Sequence, residues 1–165
     1  MKSLLLLAAL SLFIGSVTST HAATAVVTDD TTVSIALPRS SYRSAPTLNV
    51  ATALSGVSKR VYIQFDLSAL PGGLSGAKIE KATLRLFCSN VKKAGNISIA
   101  PVAAAWNEET LIGAKQPTVG ETEVAGVTIN LADQRRWITV DLTSLVRDWV
   151  DGILPNHGIV ITPDF

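Results

Sequence analysis

Residues 79–88 read Ile79-Glu80-Lys81-Ala82-Thr83-Leu84-Arg85-Leu86-Phe87-Cys88. In an extended chain successive side chains point to opposite sides, so Ala82, Leu84, Leu86 and Cys88 share one face and Lys81, Thr83, Arg85 and Phe87 the other. One apolar and one polar face is the mark of a strand that lies on a core and shows its back to water, as antiparallel strands do. The period of two recurs on both sides of this stretch. Upstream, Val61, Ile63 and Phe65 alternate with Arg60, Tyr62 and Gln64, and Val33, Ile35 and Leu37 with Thr32, Ser34 and Ala36. Downstream, Ile97 and Ile99, Val127 and Ile129, then Ile138, Val140 and Leu142, and finally Ile159 and Ile161 repeat it.

Turn signals separate these runs: Pro71-Gly72-Gly73, Ser75-Gly76, Ala94-Gly95-Asn96, Gln116-Pro117 and Pro155-Asn156. Many short alternating strands divided by such turns predict an all-β fold, an antiparallel sandwich of the jelly-roll kind. One segment has a different period. Leu142, Leu145, Val146, Trp149 and Val150 recur at helical spacing, with Asp141 or Thr143 as N-cap and Gly152 just past the end. This predicts one short capping helix near residues 142–151. The stretch from Leu111 to Ala125, rich in Gly, Thr and Glu, reads as a long loop, and no internal repeat divides the chain.

The N-terminus is of another kind. Lys2 precedes the apolar run Leu4 to Ile14, and Thr20-His21-Ala22 places small residues before a cleavage point, so residues 1–22 read as a signal peptide and 23–165 as a single domain. A membrane span needs about 20 apolar residues, and Gly15, Ser16, Thr18, Ser19 and Thr20 end the run sooner. The expected product is secreted, extracellular or at the cell surface. Lys2 is the only charged residue in the leader, so the 14 Lys+Arg and 13 Asp+Glu of the whole chain become 13 and 13 without it. A neutral domain has no global field for nucleic acid or an anionic membrane, and neither is expected as a partner. Any charged ligand must meet a local patch.

Scarcity of reactive side chains narrows the chemistry. Beyond the leader stand one histidine, His157, and one cysteine, Cys88, too few for a zinc site of about three or four His/Cys ligands and for an internal disulfide. There is no Gly-x-Ser-x-Gly elbow and no phosphate-binding Gly-rich loop. Asp29-Asp30 could contribute to a calcium site, but calcium takes about six to eight oxygens and no spaced acidic loop is present. No cofactor is predicted. Glu108, Glu109, Glu121, Glu123 and Asp133 are loop carboxylates, yet nothing in their spacing marks the pair that a glycoside hydrolase needs.

Five motifs come in a fixed order: Phe65-Asp66-Leu67-Ser68-Ala69-Leu70-Pro71, Ile79 to Leu86, Trp106-Asn107-Glu108-Glu109-Thr110, Val140 to Trp149, and Pro155-Asn156-His157-Gly158-Ile159. Together they resemble the DNRLRE domain family, which takes in disaggregatase-related repeats and alginate-binding carbohydrate-binding modules, over about residues 29 to 162. The resemblance implies a secreted or surface jelly roll that accompanies polysaccharide-degrading enzymes or surface proteins. It also implies a basic grip in the N-terminal strand and loop region, where this chain carries Arg39, Tyr42 and Arg43. Two departures stand out. Leu111-Ile112-Gly113 replaces an aromatic-bearing loop, and the family runs on past the Asn-x-Gly strand to a closing strand, whereas Phe165 ends this sequence. A missing closing strand would leave an edge for another segment or a partner to cover.

The candidate carbohydrate-binding residues are Arg39, Tyr42, Arg43, Arg60, Tyr62, Gln64, Arg85 and Trp137. If the polar sides of the strands at 60–66 and 81–87 are continuous, they make a basic surface with aromatics. Arginine forks pair with uronate carboxylates, and an aromatic ring packs on the apolar face of a sugar. The bland alternative for each is a solvated sheet face whose charges block edge pairing, and for Trp137 a roof over the core. Three functions therefore compete. One is a non-catalytic binder of an acidic polysaccharide such as alginate. Another is a structural or adhesive surface protein that associates with a partner or itself through an open sheet edge. The last is a small lyase or hydrolase, with Tyr62 beside Arg60 or Arg85 posed as base and neutraliser.

Overall fold

A computed structural model describes residues 9–14 and 21–164. Among them are nine strands: β1 (Ala9–Ile14), β2 (His21–Ser34), β3 (Ala51–Ala53), β4 (Gly56–Asp66), β5 (Ile79–Cys88), β6 (Gly95–Pro101), β7 (Val124–Ile129), β8 (Arg136–Asp141) and β9 (Ile159–Pro163), with one helix, α1 (Thr143–Val150). Every strand pairing is antiparallel. The expected sandwich with one short helix is the fold found. No described helix is long and apolar enough to cross a membrane.

One sheet runs β2-β1-β5-β8 and the other β7-β6-β9-β4-β2, with β3 also on β4. β2 serves both. Its first residues pair with β1, and from Val26 to Ser34 it pairs with β4, with a register shift between Val27 and Asp29 where the chain passes from one layer to the other. Ala82, Leu84 and Leu86 of β5 and Val140 of β8 form one core with Val61, Ile63 and Phe65 of β4, Ile97 and Ile99 of β6, and Ile159 and Ile161 of β9. These are the inward residues that the alternation picks out. Full burial of each large aliphatic side chain contributes about 1.5–3 kcal/mol.

α1 closes one end. Leu145, Val146 and Trp149 are buried in the core. The Asp141 carboxylate accepts from the Thr143 N–H at 2.9 Å and from its hydroxyl at 2.5 Å, while Thr143 Oγ1 accepts from the Ala82 N–H at 3.0 Å. Arg147 donates from Nε and Nη2 to the Ile79 carbonyl at 2.9 and 2.6 Å, and the Asp151 carboxylate accepts from the Gly76 N–H at 2.6 Å. The helix is thus tied to the start of β5. Leu142, rather than Asp141 or Thr143, takes the N-cap position, because Asp141 caps from one residue further back. Gly152, at φ 69°, ends it as expected.

Two expectations need correction. β2 stops at Ser34, whose hydroxyl accepts from the Leu37 N–H at 3.0 Å and turns the chain, leaving Ile35 and Leu37 exposed instead of buried. β9 is not left beside an open edge, since β4 and β6 flank it on either side. The apolar run read as a leader supplies, from Ala9 to Ile14, a strand hydrogen-bonded between β2 and β5, and His21 and Ala22 begin β2, while the rest of the predicted leader lies outside the described residues. Close approach and a left-handed φ coincide at one glycine: at Gly158, φ 78°, a Cβ would stand 2.1 Å from the Ile63 carbonyl oxygen and 2.7 Å from Gln64 Cα.

Candidate functional site

Alternation says which side of a strand a residue occupies but not which layer the strand belongs to. Arg60, Tyr62 and Gln64 lie on the outer face of the second sheet, and Lys81, Thr83, Arg85 and Phe87 on the outer face of the first. The core lies between them. The expected continuous basic face is therefore two separate surfaces on opposite sides of the sandwich.

On the second sheet the outer face is covered. Val33, Tyr62, Ala100 and Val160 project outward from their strands and, with Val102 just past β6, are sealed by Trp106 and Leu111 from the chain between β6 and β7. Tyr62 is 0% exposed, with Trp106 edge-on at 5.7 Å. Its hydroxyl donates to Gln116 Oε1 at 3.1 Å; Arg60 Nη1 reaches the same oxygen at 3.5 Å, and Gln116 Nε2 donates to the Gly113 carbonyl at 2.9 Å. Burial raises the phenol's pKa against the opposing pull of the Arg60 charge. Tyr62 thus offers no face to a sugar and no ready base; it pins the loop. Trp106 donates its indole N–H to the His157 carbonyl at 2.8 Å, which ties it to the turn before β9.

At the rim of this covered face the predicted loop residues gather. The Pro38 carbonyl accepts from the Ala114 N–H at 2.8 Å, and Arg43 Nη1 meets Glu109 Oε2 at 2.6 Å, so the loop carrying Arg39, Tyr42 and Arg43 is docked on the covering loop. Lys59 Nζ stands 5.1 Å from the Tyr42 ring centroid. Carboxylates interleave here: Asp29 Oδ1 accepts from the Glu108 N–H at 3.1 Å, and Glu108 Oε2 from the Asp30 N–H at 3.5 Å. Gln64 is half-buried opposite Asp29. The rim is of mixed charge.

The outer face of the first sheet is open. Phe87 of β5 stands opposite Trp137 of β8, and Arg85 opposite Thr139. The register brings the Phe87 and Trp137 rings to 5.3 Å and lays the Arg85 guanidinium over the indole at 4.8 Å. Trp137 is 39% exposed and does not roof the core. Arg85 and Lys81 are exposed, with Thr83 half-buried between them. A flat indole backed by a phenyl ring and flanked by a guanidinium can take the apolar face of a pyranose while the remaining guanidinium N–H groups fork a carboxylate. At one end of this face the Thr143 hydroxyl and backbone N–H hold the Asp141 carboxyl below the usual carboxylate range, reinforced by the charges of Lys81 and Arg147.

Sequence reasoning placed Phe87 only on a polar side. Its pairing with Trp137 follows from the β5–β8 register, which no single strand reveals. Gln116 was missed because its role depends on a loop folding back over Tyr62. Among the described residues no group of three or more His, Cys, Asp and Glu side chains could hold a metal ion, and the Asp29 carboxylate and the Asp30 N–H are engaged with Glu108.

The family model of carbohydrate-binding module family 96 matches residues 21–163. No curated protein matches the chain.

Proposed function

Because the chain belongs to carbohydrate-binding module family 96, we propose that it is a secreted, non-catalytic protein that binds an acidic polysaccharide such as alginate on the outer face of its first sheet. The Arg85–Trp137–Phe87 stack carries this reading. It joins a sugar-sized apolar platform to a cation made to meet a carboxylate, with Lys81 further along the same strand. Stacking on the ring directs the planar guanidinium, so less freedom is lost when it forks a uronate. Arg39 and the Tyr42–Lys59 pair, on the other side of the sandwich, are a separate and weaker candidate because Glu109 already engages Arg43. A non-catalytic role accords with a Tyr62 hydroxyl committed to Gln116.

The test is affinity electrophoresis through gels containing alginate, pectate or a neutral cellulose derivative. The acidic gels are expected to retard the protein, raised salt to weaken the effect by screening, and Arg85→Ala or Trp137→Ala to remove it. Retardation lost in Arg39→Ala but kept in both sheet variants would move the site to the loop rim. Equal mobility in every gel would refute the reading.

A further inference from the structure

β1 is not an edge strand. It lies between β2 and β5 and pairs with both: Leu10, Ser11, Leu12 and Phe13 stand opposite Ala25, Thr24, Ala23 and Ala22 on one side and opposite Leu84, Thr83, Ala82 and Lys81 on the other. β5 has only two neighbours, β8 and β1. Yet residues 1–22 carry the features of a leader that export removes. Both can hold only if the place filled by Ala9–Ile14 falls vacant in the exported protein. The backbone groups of β5 that faced β1 would then lie open beside Leu84, Ala82 and Ile79, all of them 0% exposed, a costly state for donors, acceptors and apolar side chains alike.

We propose that the place between β2 and β5 is a strand-acceptor site, filled within the chain by Ala9–Ile14 before leader removal and afterwards by an extended segment donated by another polypeptide. The proposal rests on the leader reading but not on the polysaccharide. The geometry selects the kind of donor. A strand added at an outer edge can bring its own sheet with it, but one inserted between two strands cannot, because a neighbouring strand already stands on each side. The edge strands of a second folded copy, β7 and β8, are joined to their own sheets and do not fit. A lone terminal or linker segment does, by β-strand addition. The register states its chemistry. It runs antiparallel to β5 over six residues and, once residues 1–22 are gone, to residues 23–25 of β2, with apolar residues at the places held by Leu10, Leu12 and Ile14, opposite the buried Leu84, Ala82 and Ile79. Polar or acidic residues suit the alternate places, opposite Arg85, Thr83 and Lys81.

The experiment uses the full chain with a protease site inserted between Ile14 and His21, folded first and cut afterwards. The probe is a fluorescent peptide of residues 8–15 with terminal lysines for solubility, and its control carries Leu12→Pro, which removes a ladder N–H. The cut protein is expected to exchange its own segment for the probe at one per chain, to reject the proline peptide, and to keep the uncut melting temperature only while the site is filled. A cut protein that sheds the segment, melts unchanged and takes up no probe would show that β2 and β5 close on each other, which overturns the proposal. Dimers that form on cutting and exclude the probe would overturn it in favour of a second copy. N-terminal sequencing of the exported protein tests the leader separately: residues 9–14 retained there would refute filling by another chain, whatever the peptide does.

Discussion

Replacing Gly158 by alanine tests a close backbone approach that coincides with a left-handed φ. The added Cβ would lie 2.1 Å from the Ile63 carbonyl oxygen, 2.7 Å from Gln64 Cα and 2.9 Å from the Ile63 carbonyl carbon. All three are backbone atoms of the central strand β4, so no side chain can swing aside. Overpacking of this kind costs about 1–3 kcal/mol. The φ of 78° adds the penalty of a left-handed L-residue, about 1–2 kcal/mol. The sum is about 2–5 kcal/mol, and at about 2–4 °C per kcal/mol for a chain of this size the melting temperature should fall by about 4–20 °C. Two other glycines calibrate the result. Gly113→Ala meets the Ser34 carbonyl oxygen at 2.1 Å without a left-handed φ and should lose only the packing part. Gly72→Ala meets nothing within 4 Å and should be neutral or slightly stabilising. Calorimetry on the three variants decides the matter. If Gly158→Ala melts with Gly72→Ala, the turn before β9 does not sit against β4 as described, and the argument from close approach fails.

Arg85→Ala should weaken binding of an alginate oligomer by about 10- to 150-fold, the equivalent of the ~1.5–3 kcal/mol of a charge-assisted hydrogen bond, with Arg85→Lys in between because it keeps the charge and loses the fork; titration calorimetry at two salt concentrations measures it. Gln116→Leu should destabilise by about 1–3 kcal/mol by stranding the Tyr62 hydroxyl, and Tyr62→Phe in the same chain should restore part of that loss, read from urea midpoints as a double-mutant cycle. Asp141→Asn should reduce stability near neutral pH and flatten its acid dependence. The Asp141 carboxyl is lowered by Thr143, so its stabilisation is complete above the ordinary carboxylate pKa and is lost as pH falls through the lowered one; the two proteins should converge once pH has fallen below that lowered value.

Strand identity was legible wherever alternation was clean. Val61, Ile63 and Phe65, and Ala82, Leu84 and Leu86, face the core as read, and so do Leu145, Val146 and Trp149 of the helix. Pairing was not, because a period of two has no memory of which strand lies alongside. That is why Arg60 and Arg85 were set on one surface when they stand on two, and why the Phe87–Trp137 contact was not foreseen. Tyr62 failed for a different reason. It occupies the outer face its position demands, but the loop bearing Trp106, Leu111 and Gln116 folds over that face and turns it into a second core. A hint was present in Val33, Val102 and Val160, apolar residues on outward positions, which a solvated face has little use for. Val33 was instead grouped with Ile35 and Leu37, and Ser34 ends the strand between them.

The sharing of β2 between the two sheets bears on how the domain would carry mechanical load. Tension applied at Ala23 pulls β2 along its own axis. Its ladder to β4 extends from Val26 to Ser34, and those hydrogen bonds lie across the strand. Such a pull strains them together in shear instead of opening them one after another, and the same strand holds both layers. A protein held to a surface by this end, with a polymer drawn across β5 and β8, would have its anchor and its grip joined through one stiff ribbon.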